Sequence, residues 1–176
     1  MTDTIIQDEA INKNIKALNS DNPLILKDTL VNIRENGNNV YIPVLVDLLL
    51  KYKETENADI IRSFIADIKS SYLKEVMITA LKDKKYESIH KELTSICWES
   101  AVDFGEHISF FVDMIIGGEF NSAFEALTVI ENLESKVEVN TIKEDVDKLK
   151  STISTADEAR KYLIYETINI LEARIA

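Results

Sequence analysis

Glycine and proline are scarce in this chain of 176 residues, which contains four glycines and two prolines. An all-β protein turns many times and uses both residues at its turns, so this scarcity argues against a β-sandwich or a β-barrel. Leucine, isoleucine, lysine, glutamate and alanine dominate instead, and these residues favour helices. With 45% hydrophobic residues, the chain is predicted to form one helical domain with a sizeable core.

Cysteine occurs once, and no hydrophobic run is long. A single cysteine forms no intramolecular disulfide, so a reducing compartment is expected. Apolar runs such as YIPVLV and ISFFV end far short of the ~20 residues that cross a bilayer. The first residues, MTDTIIQDEAINKNIKAL, show no basic start followed by an apolar block. These absences predict a cytoplasmic protein that does not enter a membrane.

Lysine and arginine are missing from residues 92–135, although this segment carries nine carboxylates. The whole chain has a net charge of −11. Nucleic-acid binding depends chiefly on lysine and arginine, so a nucleic-acid partner is not expected. A surface with one sign of charge predicts attraction to a basic partner instead.

Helix start and stop signals divide the chain into about ten helices. The first covers residues 4–19. Asn22 and Pro23 begin the second, which ends near Gly37, and Pro43 must lie in the first turn of the third. Further helices are predicted at about 58–70, 72–83, 88–102 and 105–116, the last of them ending at Gly117 and Gly118.

Three later helices are each predicted to begin with a capping box, in which a hydroxyl precedes a carboxylate by three residues. The pairs are Ser122 with Glu125, Thr141 with Glu144, and Thr155 with Glu158. The last two helices then repeat apolar residues at spacings of four and three: Ile142, Val146, Leu149 and Ile153, followed by Ile164, Ile168, Leu171 and Ile175. Short connections predict that the helices form about five antiparallel hairpins.

The hairpins have a period of about 35 residues, which is typical of helical repeats. The segment YIPVLVDLLL (41–50) aligns with HISFFVDMII (107–116) at an offset of 66 residues, and YLKEVMITAL (72–81) lies between them. The segments ELTSIC (92–97) and ALTVIE (126–131) share the pattern Leu-Thr-x-Ile. Together these matches predict an internal repeat.

Pro43 early in a first helix, and Asp47 and Asp113 after its apolar positions, are features that the chain shares with HEAT-type repeats. The block FFVDMIIGGEFNSAFEALTVIENLE resembles small single-domain bacterial HEAT-repeat proteins. The resemblance implies a right-handed α–α superhelix, the armadillo-like solenoid. The expected divisions are an N-terminal helical pair (1–37), three HEAT-like repeats (38–135) and a C-terminal hairpin or cap (136–176).

Unusual residues gather in ICWESAVDFGEHISFFVDM (96–114). Asp103 and Glu106 have the spacing of a helix cap, with an acceptor at one end and a carboxylate able to reach back from the other. Cys97 follows Leu93 by one helical turn and is predicted to lie in the core. His107 has no second histidine or cysteine pair at ligand spacing, so no metal and no cofactor is expected.

The segment also begins an aromatic cluster, since five of the six phenylalanines follow its only tryptophan, Trp98, within 26 residues. Helical spacing predicts that these side chains form the core of the third repeat, and an exposed aromatic groove is the alternative. The phenylalanines are Phe104, Phe110, Phe111, Phe120 and Phe124.

Function is predicted from the second helix of each hairpin, which the resemblance places on the inner, concave wall. Two polar stripes are expected there: Ser88, Glu92, Ser95 and Glu99 on one helix, and Asn121, Glu125, Thr128 and Asn132 on another. A stiff solenoid carries no reactive centre of its own, so we expect a non-catalytic adaptor that binds a basic or amphipathic protein segment. The candidate binding residues are Glu92, Ser95, Glu99, Glu125, Thr128 and Asn132.

Other functions fit the same sequence. The two stripes are equally explained as solvated helix faces. A helical-repeat enzyme or a ligand-binding protein that handles tetrapyrroles is one alternative function. A structural subunit that buries its surface hydrophobic residues by self-association is another.

Overall fold

The computed structural model describes residues 2–35 and 38–175, with side chains described from Glu9 onward. These residues form ten α-helices and no strand, which confirms the all-α prediction. The position predicted to end the second helix, Gly37, lies outside the described residues. The helices are Thr2–Leu18 (α1), Pro23–Glu35 (α2), Tyr41–Tyr52 (α3), Asn57–Ala66 (α4), Tyr72–Lys82 (α5), His90–Glu99 (α6), Ile108–Gly117 (α7), Phe120–Glu131 (α8), Val139–Thr152 (α9) and Glu158–Ala173 (α10).

The helices pack in chain order as hairpins. Each odd-numbered helix packs against the even-numbered helix that follows it, from α1 with α2 to α9 with α10. Contacts also join helices two apart, namely α1 with α3, α3 with α5, α4 with α6, α6 with α8, α7 with α9 and α8 with α10. Each hairpin therefore lies against the next one along the chain, and the C-terminal hairpin lies against α7 and α8.

One hydrophobic core runs through the hairpins from Leu18 to Leu171. The predicted apolar stripes supply it, because their residues lie on the inward face of each helix. Ile153 and Ile175, the last predicted members of their stripes, are only partly buried. Both lie just beyond the end of their helices, where the backbone no longer keeps the helical period.

The starts of the second and third helices agree with the predictions. The Oδ1 atom of Asn22 accepts a hydrogen bond from the backbone N–H of Leu24 at 3.0 Å. Pro23 is the first residue of α2, where a missing N–H costs nothing. Pro43 is the third residue of α3, within its first turn.

The capping box predicted at Ser122 is wrong. Helix α8 begins two residues earlier and is capped by Glu119, whose Oε2 atom accepts from the N–H groups of Asn121 at 2.9 Å and of Ser122 at 3.2 Å. Ser122 is buried inside the helix. The Glu125 carboxylate accepts a hydrogen bond from the Trp98 indole instead.

The other two capping boxes are also wrong. Helix α9 begins at Val139, two residues before Thr141. Helix α10 is capped by Asp157, whose Oδ1 atom accepts from the N–H of Arg160 at 2.8 Å, while Thr155 bonds to a preceding carbonyl. Each of these helices therefore begins at a different residue from the one that its capping box predicted.

Three helix ranges also differ from the predictions by three residues or more, and one of them is α7, which begins at Ile108 after a 3₁₀ turn over Gly105–His107. Helix α4 ends at Ala66, four residues before the predicted end. Helix α6 covers only His90–Glu99, because a 3₁₀ segment, Lys84–Ile89, occupies the residues before it. Asp83 begins that segment by accepting a hydrogen bond from the N–H of Lys85 at 2.9 Å.

The two glycines that follow one another at the end of α7 are expected to respond oppositely to alanine. A Cβ atom at Gly118 would lie 2.5 Å from the backbone oxygen of Met114, whereas a Cβ atom at Gly117 meets nothing within 4 Å. Gly118→Ala should lower the free energy of unfolding by about 1–2 kcal/mol through this clash. Gly117→Ala should raise it by about 0.5 kcal/mol, because alanine favours the helix. Chemical denaturation of the two variants tests the pair, and equal effects would contradict the geometry.

Candidate functional site

The joint between α6 and α7 is organised by Asp103. Its Oδ1 atom accepts from the N–H of Gly105 at 2.8 Å and so holds the turn before α7. The predicted helix cap is wrong, because α7 begins only at Ile108 and no side chain of the described residues caps it. The other oxygen of Asp103 accepts from the N–H groups of Glu134 at 2.7 Å and Ser135 at 3.0 Å. Glu106 does not reach back to the turn, since its carboxylate pairs with Lys74 of α5 at 2.6 Å.

Cys97 lies in the core, and His107 lies half-buried beside a carboxylate. Cys97 is buried, its thiol donates to the carbonyl of Leu93, and burial raises the pKa of the thiol, as expected for a core residue. The imidazole Nε2 of His107 lies 3.7 Å from the Glu106 carboxylate. Burial lowers the pKa of His107 in spite of that carboxylate. In the part of the chain that the structure describes, no three metal-ligating side chains converge.

Cations from neighbouring hairpins pair with several carboxylates of residues 92–135. Each of these pairs joins the segment to a helix outside it. The pairs are Arg62 with Glu99, Lys74 with Glu106 and Lys148 with Asp113. The lack of lysine and arginine inside the segment is therefore offset in part by the tertiary structure.

Two of the candidate binding residues link the second helices to one another. Glu99 of α6 pairs with Arg62 of α4, and both side chains are mostly buried. The Oε2 atom of Glu125 in α8 accepts from the indole Nε1–H of Trp98 in α6 at 2.7 Å. These carboxylates make contacts within the protein, so replacing either one changes its packing as well as its surface charge.

The remaining candidates differ in exposure. Ser95 is buried, and its hydroxyl donates to the carbonyl of Glu92 at 2.9 Å. Thr128 and Asn132 donate to backbone carbonyls of their own helix. Glu92 is half-buried, and its carboxylate has no partner among the described residues. The structure brings the six residues onto the adjacent helices α6 and α8 but interrupts the predicted stripe at Ser95; their binding role stays a prediction.

The phenylalanine cluster divides between the core and the surface. Phe104 and Phe111 are buried and meet edge to face, with ring centroids 6.1 Å apart, which confirms the core prediction for them. Phe110 is half-buried against Phe111. Phe120 and Phe124 are 41% and 50% exposed because they lie on the outward side of α8, so the core prediction is wrong for this pair.

The neighbouring helix α10 also exposes aromatic rings. Tyr162 and Tyr165 are 61% and 50% exposed, on the side of α10 opposite its buried residues. The carboxylates of Glu131 in α8 and Glu166 in α10 have no partner among the described residues. We call this surface the aromatic–acidic face; it consists of Phe120, Phe124, Glu131, Tyr162, Tyr165 and Glu166. Sequence analysis missed the two tyrosines, whose spacing of three residues was the available signal.

The cations beside the aromatic–acidic face are all engaged. Helix α8 contains no lysine or arginine. Arg160 donates to the carbonyls of Ile115 and Gly118, and Arg174 donates to carbonyls at the end of α8. Lys161 pairs with Glu158 at 2.7 Å. Along α8 and α10, therefore, the structure describes no positive side chain without a hydrogen-bond or ion-pair partner.

Comparison of the chain with protein-family models, with curated proteins and with solved structures gives no match. Within the described residues, no helix combines the length and apolar character needed to cross a membrane.

Proposed function

We propose that this protein is a non-catalytic interaction module that binds a basic or amphipathic protein segment. The binding site is the aromatic–acidic face of α8 and α10. The observation that carries the proposal is four exposed aromatic rings on the adjacent helices α8 and α10, together with the exposed Glu131 and the half-buried Glu166. Neither carboxylate has a partner among the described residues, and the nearby arginines are already bound. Such a face attracts positive charge and offers apolar area to the same ligand.

The chemistry of the face favours arginine and lysine. A guanidinium or ammonium group placed over an exposed tyrosine or phenylalanine ring gains about 0.5–1 kcal/mol, and four rings allow several such contacts. Glu131 and Glu166 add electrostatic attraction, which speeds association and disfavours acidic partners. The apolar side of an amphipathic segment covers Phe120 and Phe124, which are otherwise exposed to water.

A right-handed HEAT-like solenoid is the proposed framework for this face. Two observations support it: the contacts between helices two apart, and ion pairs that join successive hairpins at separations of 30 to 38 residues. The expected N-terminal pair (1–37), three repeats (38–135) and C-terminal cap (136–176) fit this spacing. The pairs are Asp21–Lys51, Arg34–Asp67, Asp47–Lys85, Arg62–Glu99, Lys74–Glu106 and Asp113–Lys148.

The only cysteine and two of the carboxylates already make hydrogen bonds within the fold, which agrees with a binding role. The Cys97 thiol is buried against a backbone carbonyl. Asp103 and Glu125 accept hydrogen bonds that hold elements together. The exposed side chains of α8 and α10 include aromatic rings and carboxylates, which are suited to recognition.

The proposal is tested with two designed helical peptides of equal length, one with leucine and arginine on opposite faces and one with glutamate in place of arginine. We expect the intact protein to bind the arginine peptide. Fluorescence anisotropy should show that this binding weakens as the salt concentration is raised from ~50 to ~500 mM, because salt screens the charges. The combined variant Phe124→Ala, Glu131→Gln, Tyr162→Ala should bind at least about tenfold more weakly, equivalent to ~1.4 kcal/mol.

The matched control carries the same kinds of change on first helices of the hairpins. Tyr72→Ala on α5 alters an exposed tyrosine, and Glu144→Gln on α9 alters an exposed glutamate that has no partner among the described residues. This control should bind the arginine peptide like the unmodified protein. Equal binding of the two peptides, or equal loss in both sets of variants, would refute the proposed site.

A further inference from the structure

Helix α2 exposes three large aliphatic side chains to water. Leu24 and Val31 are 70% and 60% exposed, and Ile25 is also exposed. Leu24 and Val31 are seven residues apart, so they lie on one side of the helix, two turns apart. This side of α2 has apolar area available to a ligand.

A groove lies beside these residues, between α2 and α4. It contains a cavity of about 770 Å³ whose apolar lining residues are Leu30, Val31, Ile60 and Phe64. The volume falls in the range of ~300–1,000 Å³ that is usual for ligand sites. Close packing joins α4 to α6, α6 to α8 and α8 to α10, but α2 does not pack closely against α4. The groove is the gap that results.

Arg34 crosses the groove and divides it. Its guanidinium lies 5.1 Å from the centre of the Phe64 ring and donates to Asp67 at 2.8 Å. A second cavity of about 300 Å³ lies between α2, α3 and the end of α4, and Arg34 and Phe64 line it as well. The groove therefore continues past Arg34 along the ten residues of α4, a length of ~15 Å, or about three helical turns.

The two walls of the groove carry side chains of opposite charge. Lys27 lines the α2 wall and Asp59 lines the α4 wall, and both side chains are exposed without a partner among the described residues. Arg34 is already balanced by Asp67. A complementary ligand therefore places a carboxylate near α2 and a cation near α4, with apolar groups between them.

We propose that this groove is a second docking site and that its occupant is an amphipathic helix of another protein. A helix of about three turns presents apolar side chains at spacings of three and four residues, and these contact the apolar lining of the groove. Its glutamate or aspartate faces Lys27, and its lysine or arginine faces Asp59. The site differs from the aromatic–acidic face, along which the structure describes no unpartnered cation and for which we propose positive ligands, so this inference is independent of the proposed function.

The test begins with selection of binders from a displayed library of helical 16-residue peptides against the intact protein. The selected peptides, made synthetically, should bind with a Kd of about 10 μM or tighter. Val31→Asp should weaken the binding of these peptides at least about tenfold, since it places a charge in the apolar lining of the groove. The matched control, Val139→Asp, changes an exposed valine of α9 and should leave their affinity unchanged.

Charge reversal gives a sharper test of the orientation. Lys27→Glu should weaken a peptide that carries a carboxylate at the facing position, and replacing that carboxylate by lysine should restore binding. The Phe124→Ala, Glu131→Gln, Tyr162→Ala variant should bind the groove peptides normally, which separates this site from the aromatic–acidic face. Three results would overturn the inference: no selected binder, binders that ignore Val31→Asp, or self-association of the unmodified protein that Val31→Asp abolishes.

Discussion

Replacing both Arg160 and Arg174 with methionine is expected to lower the free energy of unfolding by about 3–6 kcal/mol. These two side chains attach the last helix to the hairpin before it. The guanidinium of Arg160 donates to the carbonyls of Ile115 and Gly118, both at 2.7 Å, at the end of α7. A hydrogen bond from a charged group contributes about 1.5–3 kcal/mol, and each replacement leaves carbonyls without a donor.

Arg174 does the same at the end of α8. Its Nη2 atom donates to the carbonyls of Ile130 at 2.9 Å and Leu133 at 2.7 Å. The last carbonyls of a helix have no partner within it, and their negative dipole favours a cation. The two arginines are ~21 Å apart along α10, so their effects should add. The combined loss is a large fraction of the ~5–15 kcal/mol that stabilises a typical domain.

Denaturation followed by two signals checks this prediction. In the double variant, circular dichroism should report loss of α9 and α10 before the fluorescence of Trp98 in α6 changes, because the C-terminal hairpin detaches first. Lys161→Met on the same helix is the control, since its ion pair with the exposed Glu158 contributes less than ~1 kcal/mol. Coincident transitions at unchanged stability in the double variant would show that the arginines do not hold the hairpin.

Asp103→Ala is expected to lower the free energy of unfolding by about 2–3 kcal/mol near neutral pH. Besides its three backbone donors, the carboxylate accepts from the Ser135 hydroxyl at 2.6 Å. These bonds tie the loop after α8 to the joint between α6 and α7. Partial burial raises the pKa of Asp103, but the hydrogen bonds from Ser135, Gly105 and Glu134 outweigh it and bring the pKa to about 2.

The stabilising contribution of Asp103 should depend on pH. Its pKa in the folded state is below the ordinary value of 3.8, so the contribution is complete well above pH 3.8 and is lost as the pH falls to about 2. The difference in stability between the original protein and Asp103→Ala should therefore shrink between about pH 5 and pH 2. Taking the difference cancels other acids such as Asp145, whose pKa is raised by burial and whose effect has the opposite sign.

Urea denaturation of both proteins at a series of pH values measures this difference. Ser135→Ala removes only the hydroxyl donor and should show a smaller loss with the same pH trend. A difference that stays constant from neutral to acid pH would mean that the Asp103 carboxylate does not hold the loop.

Local signals predicted the helices better than their starting points. Apolar spacing and the two prolines gave all ten helices, because an inward stripe such as Ile164, Ile168 and Leu171 is a property of the helix itself. The capping boxes failed because a hydroxyl followed by a carboxylate also occurs inside helices. At α8 the packing buries Ser122 and leaves Glu119 free to cap.

The candidate site shows the same division. Sequence analysis identified a segment rich in carboxylates and suggested an exposed aromatic groove as one alternative. It did not show which carboxylates were available, because Glu99 and Glu106 find their cations about one repeat away along the chain. It also missed Tyr162 and Tyr165, since α10 packs against α8, which is about 40 residues away along the chain.

The amino-acid sequence by itself determined the helical class, the approximate helix positions and the distribution of charge along the chain, because these depend on neighbours within a few turns. Only the tertiary structure decided which charges are neutralised and which aromatic rings face water. Those properties depend on contacts between hairpins, which bring together residues that are 30 or more positions apart.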